Sequence, residues 1–398
     1  MQSNLDNIFN RYLNNRTIFS NKEILTDQYI PSTILHREDK INQIASTAAP
    51  ALRGEKISNI FIFGTVGTGK SVSVRYVMSE LEKKSDKVKI IYINCKMKKV
   101  SDTEYRLLAE MARELDCSVP STGLPTDEIY KMFFEAVDAR NQSMILILDE
   151  IDALVSKTGD EILYNLTRIN QDLKNSKLSI IGISNDVSFT ENLDPRVKSS
   201  LSEEEIIFQP YNAHQLQDIL IQRAGLAFHD GVLDQGVIQK CSALAAQEHG
   251  DARKALDLLR IAGEIVEREG SVNISIGYVD KAENKLDSDK ITEIVRCQPK
   301  QSQVVLASII RLAERGGENI QTGDVYSVYQ DMCRSSGLKE LTQRRVTDLI
   351  GELDMIGVIN ARVISRGRYG RTREIRLSVS RSLLEKINAI LRENFITG

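Results

Sequence analysis

The stretch Gly64-Thr65-Val66-Gly67-Thr68-Gly69-Lys70-Ser71 decides the fold, because it fills every position of the phosphate-loop (Walker A) pattern G-x-x-x-x-G-K-[ST]. The apolar run 60–63 before it is typical of a strand buried on both faces, and residues 71–77 open an amphipathic helix. Glycines let such a loop turn its backbone N–H groups toward phosphate oxygens, beside the positive end of the helix. The sequence therefore predicts an ATP site; the alternative is a glycine-rich turn without a ligand.

Individual residues of this region have separate expected roles. We expect Lys70 to reach the β- and γ-phosphates and Ser71 to ligate Mg²⁺. Tyr29, Ile30 and Arg37 lead into a predicted helix over residues 37–53 and are expected to border the base. The other candidate cofactor-binding residues are Gly64, Thr65, Val66, Gly67, Thr68, Gly69, Val72 and Tyr211.

Composition limits the class of protein. With 398 residues and 41% hydrophobic content, the chain can form two or three domains with sizeable cores. No apolar run approaches the ~20 residues of a membrane-spanning helix and the polar start is not a secretory signal, so we expect a cytoplasmic, nucleoid-associated protein without a membrane partner. The five cysteines are scattered, which argues against zinc and against a disulfide framework.

Charge is distributed unevenly along the chain. Residues 298–398 carry 16 Lys and Arg against 11 Asp and Glu, a net charge of +5, whereas residues 1–297 carry 36 against 44, a net charge of −8. A basic C-terminal part on an acidic body indicates a local partner for polyanion, such as nucleic acid.

From residue 60 to residue 183, apolar strands alternate with amphipathic helices. The predicted strands are 60–63, 88–94, 144–149 and 178–183, and the predicted helices are 71–84, 102–116, 126–140 and 160–174. Strands separated by helices imply right-handed crossovers and a mainly parallel sheet. The nucleotide is then expected at the carboxyl ends of the strands.

Polar residues follow two of these strands. Asp149 and Glu150 end the strand 144–149, and because adjacent strand residues point to opposite sides, Asp149 is assigned to the Mg²⁺ shell and Glu150 to the attacking water. Asn185 follows the next strand and could bond the γ-phosphate or the water. The alternatives are a strand ending in solvated acids and an Asn that only turns the chain.

Two arginines complete the candidate catalytic set of Glu150, Asn185, Arg196 and Arg253. Arg196 lies on a turn and short helix and could act in trans on a neighbour's phosphate, or could be a surface ion-pair residue. Arg253 could reach the γ-phosphate from the first turn of a helix capped by Asp251, or could be solvated. That helix belongs to an α-helical lid predicted as 213–227, 230–248, 251–269 and 275–288.

The last hundred residues predict a winged helix. Helices near 301–315, 322–336 and 341–357 precede strands 361–365 and 371–379, which are joined by a turn over 366–370. Candidate DNA-binding residues are Thr342, Gln343, Arg344, Arg345 and Thr347 on the recognition helix, with Arg366, Arg368, Tyr369, Arg371 and Arg373 on the hairpin. A solvated face is the alternative explanation of the hairpin charges.

Five motifs in order resemble those of a known family. They are residues 64–71, Leu148-Asp149-Glu150-Ile151-Asp152, Gly182-Ile183-Ser184-Asn185, Asp194-Pro195-Arg196-Val197 and Gly250-Asp251-Ala252-Arg253. Their spacing is similar to that of the AAA+ ATPases that initiate DNA replication in archaea, the origin-recognition/cell-division-cycle initiators, over nearly the whole chain. The resemblance implies an α/β fold, an AAA+ parallel sheet with a helical lid, plus a C-terminal winged-helix (helix-turn-helix) domain.

The same resemblance implies function. It predicts ATP or ADP with Mg²⁺ as cofactors, slow ATP hydrolysis as a switch, and double-stranded origin DNA, the replicative helicase and a second initiator paralogue as partners. It also places a DNA-touching helical element after the second strand, where Lys98 and Lys99 are candidates and an ordinary solvated turn is the alternative.

The predicted domains are an N-terminal arm (1–20), an ATP-binding domain (21–209), a lid (210–290) and a winged helix (298–398). Two other functions fit this combination of domains. One is an AAA+ winged-helix motor of the branch-migration type, and the other is an ATP-dependent transcription regulator.

Overall fold

The computed structural model describes residues 17–96, 103–120, 124–186, 189–201, 204–315, 320–365, 371–379 and 381–395. These residues form two compact units that divide between Val279 and Asp280. Across the part of the chain that the structure describes, none of the helices is both long and apolar enough to cross a membrane.

A five-stranded parallel sheet forms the centre of the first unit. Its strands are β1 (Ile60–Phe63), β2 (Val88–Asn94), β3 (Ser143–Asp149), β4 (Lys177–Ser184) and β5 (Glu204–Ile207), in the spatial order β2-β3-β4-β1-β5. The register pairs Asn94 with Asp149 and Phe63 with Ser184, so polar residues that end three strands meet at one edge of the sheet. The four strands predicted from the sequence are therefore present at nearly their predicted bounds.

Strand β5 is absent from the sequence prediction. It lies at the edge of the sheet, and of its four residues only Ile206 is buried, whereas Ile207 is 46% exposed. An edge strand with one buried residue has no apolar run to reveal it.

Seven helices precede the lid in the described residues. They are α1 (Glu38–Ala48), α2 (Lys70–Glu82), α3 (Glu104–Arg113), α4 (Thr126–Asp138), α5 (Ile151–Thr158), α6 (Glu161–Arg168) and α7 (Pro195–Leu201). Strand residues alternate between two cores: Ile60 and Ile62 pack with α1 and α2, while Phe61 and Phe63 pack with α3 to α7. Helices on both faces leave only the strand ends open to a ligand.

The lid helices are α8 (Ala213–Ala227), α9 (Val237–Gln247), α10 (Ala252–Glu269) and the start of α11 (Ile276–Cys297). The predicted start of the second lid helix at residue 230 is wrong. Gly231 and Gly236 both have positive φ, +77° and +90°, so the chain turns there and the helix begins at Val237. Helix α11 runs nine residues beyond the predicted end at 288.

Residues 17–20, assigned from the sequence to a loosely held arm, pack on the lid. Ser20 N–H donates to Ala227 O (2.8 Å), and His229 N–H donates to Ile18 O (3.2 Å). The ring of Phe19 is 5% exposed and stacks on Phe228, with 4.8 Å between ring centroids. The apolar pair Ile18-Phe19 is too short to predict this docking within a polar, Asn-rich segment. Residues 1–16 lie outside the described residues.

The second unit contains a small three-stranded antiparallel sheet and helices. Helices α12 (Lys300–Glu314), α13 (Thr322–Ser335), α14 (Gln343–Met355) and α15 (Arg381–Phe395) surround strands β6 (Ile320–Gln321), β7 (Ile359–Ser365) and β8 (Arg371–Leu377), in the order β6-β8-β7. The three predicted helices and the two paired strands of the hairpin are confirmed, as is the winged-helix class, while the predicted turn over 366–370 lies outside the described residues. Helix α15, which the sequence analysis missed, packs into the core through Leu383, Ile387 and Leu391.

We expect Phe19→Ala to release the N-terminal segment from the lid. Loss of a stacked, buried ring should lower the local stability by about 3 kcal/mol. Hydrogen exchange at the His229 amide, which donates to Ile18 O, measures this opening. Val272→Ala, at a side chain 73% exposed on the same lid, should change protection by less than about 0.5 kcal/mol. Unchanged protection of His229 in the Phe19 variant would contradict the docking.

Candidate functional site

A cavity of about 490 Å³ opens in the first unit beside the carboxyl edge of the sheet. Three parts of the chain surround it: the phosphate loop, the segment before α1, and the lid. Its lining includes Gly67, Thr68, Gly69, Lys70, Ser71, Val72, Arg75, Tyr92, Asn94, Asp149, Glu150 and Asn185, then Thr26 to Pro31, and finally Ile219, Gln222, Arg223, Ala252, Arg253 and Leu256. This volume lies in the range of small-molecule sites.

The phosphate loop turns through glycines that cannot be replaced without strain. Gly67 and Gly69 have φ of +74° and +88°, in the left-handed region. A Cβ at Gly69 would stand 2.6 Å from the Tyr211 hydroxyl, so a larger residue would have to displace the Tyr211 side chain. Helix α2 begins at Lys70 directly after Gly69, which leaves the N–H groups of its first turn available to a ligand. The loop therefore has the geometry of an anion site.

Lys70 is a buried cation at the base of this loop. Its Nζ donates to Gly64 O (2.6 Å), Thr65 O (2.8 Å) and Asn185 Oδ1 (2.9 Å). Burial lowers the pKa of Lys70 to about 8, although Asp149 opposes this effect. A phosphate beside the ammonium group would favour its charged form. The residues present thus fit the phosphate chain of a nucleotide.

The two acids lie where the strand gives way to a helix. Strand β3 ends at Asp149, which is 5% exposed, and Glu150 is the N-cap residue directly before α5, with φ of +57° and ψ of +47°. A non-glycine residue in this region is uncommon and costs about 1–2 kcal/mol. The prediction that Glu150 continues the strand is therefore wrong: a turn, rather than strand alternation, brings both carboxylates to the cavity.

A magnesium ion would find two of its protein ligands here. Ser71 and Asp149 both line the cavity, and one or two protein ligands completed by phosphate oxygens and water are what Mg²⁺ usually takes. Within the described ranges there is no group of three His, Cys, Asp or Glu side chains that could hold a metal by itself.

Asn185 is held in place by Asp152, a residue that the sequence analysis quoted only as part of a motif. Asp152 Oδ1 accepts bonds from Ser184 Oγ (3.0 Å) and Asn185 N–H (3.4 Å). The amide oxygen of Asn185 then accepts from Lys70. This chain of contacts places the Asn185 side chain against Lys70, in the cavity that Asp149 and Glu150 also line.

Arg37 supports the loop instead of lining the cavity. Its guanidinium group is buried, donates to Thr68 O (2.9 Å) and Gln209 O (2.5 Å), and lies 3.7 Å from the centroid of the Tyr211 ring. Because these donors are used by backbone carbonyls, the prediction that Arg37 binds the cofactor directly does not match its contacts. Tyr29, Ile30 and Tyr211 do line the cavity.

The first three loop residues also differ from expectation. Within the phosphate loop, the residues that line the cavity start at Gly67. The carbonyls of Gly64 and Thr65 instead accept hydrogen bonds from Lys70, and the Val66 side chain is 45% exposed. Gly64, Thr65 and Val66 thus shape the loop and hold its lysine.

The lid meets the phosphate loop through the N-terminus of α10. Ala252 N–H donates to Gly67 O (3.1 Å), and a Cβ at Gly67 would come within 1.7 Å of Asp251 Oδ1. The same carboxylate caps α10 by accepting Arg253 N–H (2.8 Å). Arg253 lines the cavity, as predicted for a residue that reaches the phosphates from the lid.

Arg223 is a lid residue that the sequence analysis missed. It is 7% exposed, donates to Ile24 O (3.2 Å), and lies 4.5 Å from the centroid of the Tyr29 ring. A single arginine within a helix carries no sequence signal that distinguishes it from a solvated one.

Arg196 lies outside the cavity. Its side chain is 67% exposed, pairs with Asp194 (3.0 Å) and stands 5.0 Å from the centroid of the Tyr164 ring. This position is compatible both with action on a neighbour's nucleotide and with a surface ion pair.

The structure describes some of the candidate DNA-binding residues of the winged helix. Thr342, Gln343, Arg344 and Arg345 are exposed at the start of α14, where Thr342 caps the helix and Arg345 pairs with Glu352 (3.3 Å). Thr347 Oγ1 donates to Gln343 O (2.8 Å), and the Arg373 guanidinium approaches Gly351. Lys98, Lys99, Arg366, Arg368, Tyr369 and the side chain of Arg371 lie outside the described residues.

Three protein-family models match the chain. They are an AAA domain over residues 55–186, a Cdc6 AAA+ ATPase-type lid domain over 217–284 and a CDC6 C-terminal winged-helix domain over 293–387. The ORC1-type DNA replication protein 1 of Methanosarcina mazei is 53% identical over 397 residues, covering 98% of this chain and 94% of that protein. The chain belongs to the archaeal ORC1/Cdc6 family of AAA+ proteins.

Other members of the ORC1/Cdc6 family support this assignment. The ORC1-type protein of Pyrococcus horikoshii is 53% identical over 387 residues, 95% of this chain and 92% of that protein. The structure of the Aeropyrum pernix ORC1 protein in complex with DNA matches with a TM-score of 0.80 and 43% identity, over 95% of this chain and 98% of that one. Membership of the AAA+ class carries nucleotide binding and supports ATPase activity.

For this ORC1/Cdc6 chain, we expect nucleotide affinity to fall as pH rises through about 8. Bound phosphate raises the pKa of Lys70, so binding is strongest while the free lysine is charged, below its pKa of about 8. Above that pH the Kd should increase by up to about tenfold per pH unit, with proton uptake on binding. Calorimetry between pH 7 and 9.5, in buffers of different ionisation enthalpy, measures both.

The matched control is Lys70→Arg, because a guanidinium stays charged over this range. Whatever its affinity, its Kd should not depend on pH. A Kd of the natural chain that is constant from pH 7 to 9.5 would contradict the assigned role of Lys70.

Proposed function

We propose that this chain is an ATP-dependent DNA replication initiator that binds double-stranded origin DNA and helps to load the replicative helicase. The observation that carries the proposal is 53% identity to an ORC1-type DNA replication protein over 98% of the chain. The cavity between loop, sheet edge and lid supplies the nucleotide site that such a switch needs.

The cavity side chains support hydrolysis of ATP. The amides of residues 67–71 and Lys70 hold the phosphates. Ser71 and Asp149 would hold Mg²⁺, which would supply Lewis-acid stabilisation of the transferred phosphoryl group. Glu150 orients a water molecule and takes its proton as the water oxygen attacks the γ-phosphorus. The bond from the γ-phosphorus to the bridging oxygen breaks, and ADP leaves. Asn185 and Arg253 stabilise the charge that develops on the γ-phosphate oxygens.

We infer slow turnover in the isolated chain from the position of Arg196. An arginine that completes the transition-state charge in trans is worth about 10³- to 10⁵-fold in rate in NTPases that use one. Arg196 is exposed and lies outside its own cavity, so any nucleotide that it contacts would belong to a second copy or a paralogue. Bound nucleotide would then act as a state marker between rare hydrolysis events.

The second unit supplies the proposed DNA contact. The Aeropyrum pernix ORC1 protein, 43% identical, is described in complex with DNA. In this chain, α14 presents four exposed polar residues at its N-terminus, including Arg344 and Arg345, where a recognition helix meets base edges. Residues 298–398 carry a net charge of +5, which favours the phosphate backbone. The hairpin arginines and Lys98 and Lys99 remain candidates for further contacts.

We expect Glu150→Gln to block hydrolysis while leaving ATP bound. An amide cannot take the proton from water, so the turnover rate should fall by about 100-fold or more. Phosphate release and calorimetric ATP binding measure the two effects separately. Glu161→Gln, at an exposed glutamate in the first turn of α6, is the matched control and should keep normal turnover. Normal turnover in the Glu150 variant would remove Glu150 from the mechanism.

We expect Arg344→Ala to weaken binding of a duplex from the cognate origin by about 1–3 kcal/mol. If Arg344 meets a phosphate, the salt dependence should fall by about one ion and all sequences should be affected alike; if it meets a base, discrimination should relax at one position. Fluorescence anisotropy at several salt concentrations measures both. Arg334 lies on α13 and pairs with Glu340, and the control variant Arg334→Ala should bind the duplex normally. Equal losses of DNA affinity in the two variants would count against α14 as the recognition helix.

A further inference from the structure

A hydrogen bond joins Tyr92 to the carboxylate that is expected to hold Mg²⁺. In the register of β2 and β3, Asn94 is opposite Asp149, so Tyr92 stands two residues back on the same face of the sheet. A tyrosine is long enough to span this diagonal, and its hydroxyl donates to Asp149 Oδ2. The contact therefore follows from strand register and side-chain length.

The tyrosine ring is itself held in place. The guanidinium carbon of Arg75, on α2, lies 4.1 Å from the centroid of the Tyr92 ring. Arg75 is four residues after Ser71, the other expected Mg²⁺ ligand, and all four side chains line the cavity. The helix that carries one ligand thus fixes the ring that bonds the other.

We propose that Tyr92 is a positioning residue for magnesium: its hydroxyl fixes the Asp149 carboxylate so that one oxygen stays available to the ion. The proposal rests on the proposed function, since it assumes that the cavity takes ATP with Mg²⁺. A carboxylate has two oxygens, and Tyr92 occupies Oδ2, which leaves Oδ1 for the ion or one of its waters. Carboxylates that ligate metals are commonly held by such a hydrogen bond, and loss of that bond costs about 10- to 100-fold in metal affinity.

Tyr92→Phe tests this proposal, because it removes the hydroxyl and keeps the ring that packs against Arg75. The experiment uses the full chain and measures ATP affinity as a function of Mg²⁺ concentration, starting with chelator. We expect the Mg²⁺ concentration for half-maximal effect to rise about tenfold, while the Kd of ATP without Mg²⁺ changes by less than about twofold. Electron paramagnetic resonance of Mn²⁺ added to the ATP complex gives an independent readout of ion affinity.

Tyr105→Phe is the matched control. It removes another tyrosine hydroxyl of the same unit, one that donates to Pro120 O (3.0 Å), and it should behave as the natural chain does. If the Tyr92 and Tyr105 variants show the same Mg²⁺ dependence, the proposal is overturned. If the Tyr92 variant loses equal affinity for ATP with and without Mg²⁺, Tyr92 shapes the pocket as a whole and the proposal also fails. If the natural chain shows no ATP binding or no effect of Mg²⁺, the proposed function itself fails.

Discussion

The contact between the N-terminus of α10 and the phosphate loop is the constraint on which the rest of the first unit depends. Asp251 fills the space that only a glycine at 67 leaves open, and Ala252 N–H donates to the Gly67 carbonyl. The loop conformation and the lid position are thereby set together. Arg253, the next residue along α10, enters the cavity because Asp251 and Ala252 are fixed. Under the proposed function, a nucleotide that moves the loop would move the lid with it and so change the surface that the chain presents to partners.

Charge balance explains why this cavity suits a magnesium nucleotide. Lys70, Arg223 and Arg253 bring cations to its loop and lid sides, while Asp149 and Glu150 bring carboxylates to its sheet side. Burial disfavours the charged form of Lys70, so the protein alone does not fully stabilise the positive charge of this side chain. A bound polyphosphate would neutralise the cations, and a divalent ion would neutralise the carboxylates. The family shared with ORC1-type replication proteins joins this site to a winged-helix unit, and the proposed function connects the two through nucleotide state.

Local motifs made much of this structure predictable, and long-range contacts account for most of what was missed. The phosphate loop, the strands that end in Asp149 and Asn185, and the helix capped by Asp251 each carry their signal within a few residues. Strand β5 is a short edge strand without an apolar run. The direction of the Glu150 side chain depends on the left-handed backbone conformation of Glu150 itself, which no sequence pattern predicts. Arg37 and Arg223 act through backbone carbonyls distant in sequence, so their roles appear only in three dimensions. The same holds for Tyr92, which reaches Asp149 on the neighbouring strand.

The central claim is that one cavity, shared by phosphate loop, sheet edge and lid, binds the nucleotide. A crystal structure of the full chain grown with ADP and Mg²⁺ tests it most directly. The account predicts phosphate oxygens within about 3 Å of Lys70 Nζ and of the amides of residues 67–71, with Ala252 N–H still bonded to the Gly67 carbonyl. A nucleotide bound at any other place, or one bound at the loop with the lid detached from Gly67, would contradict it.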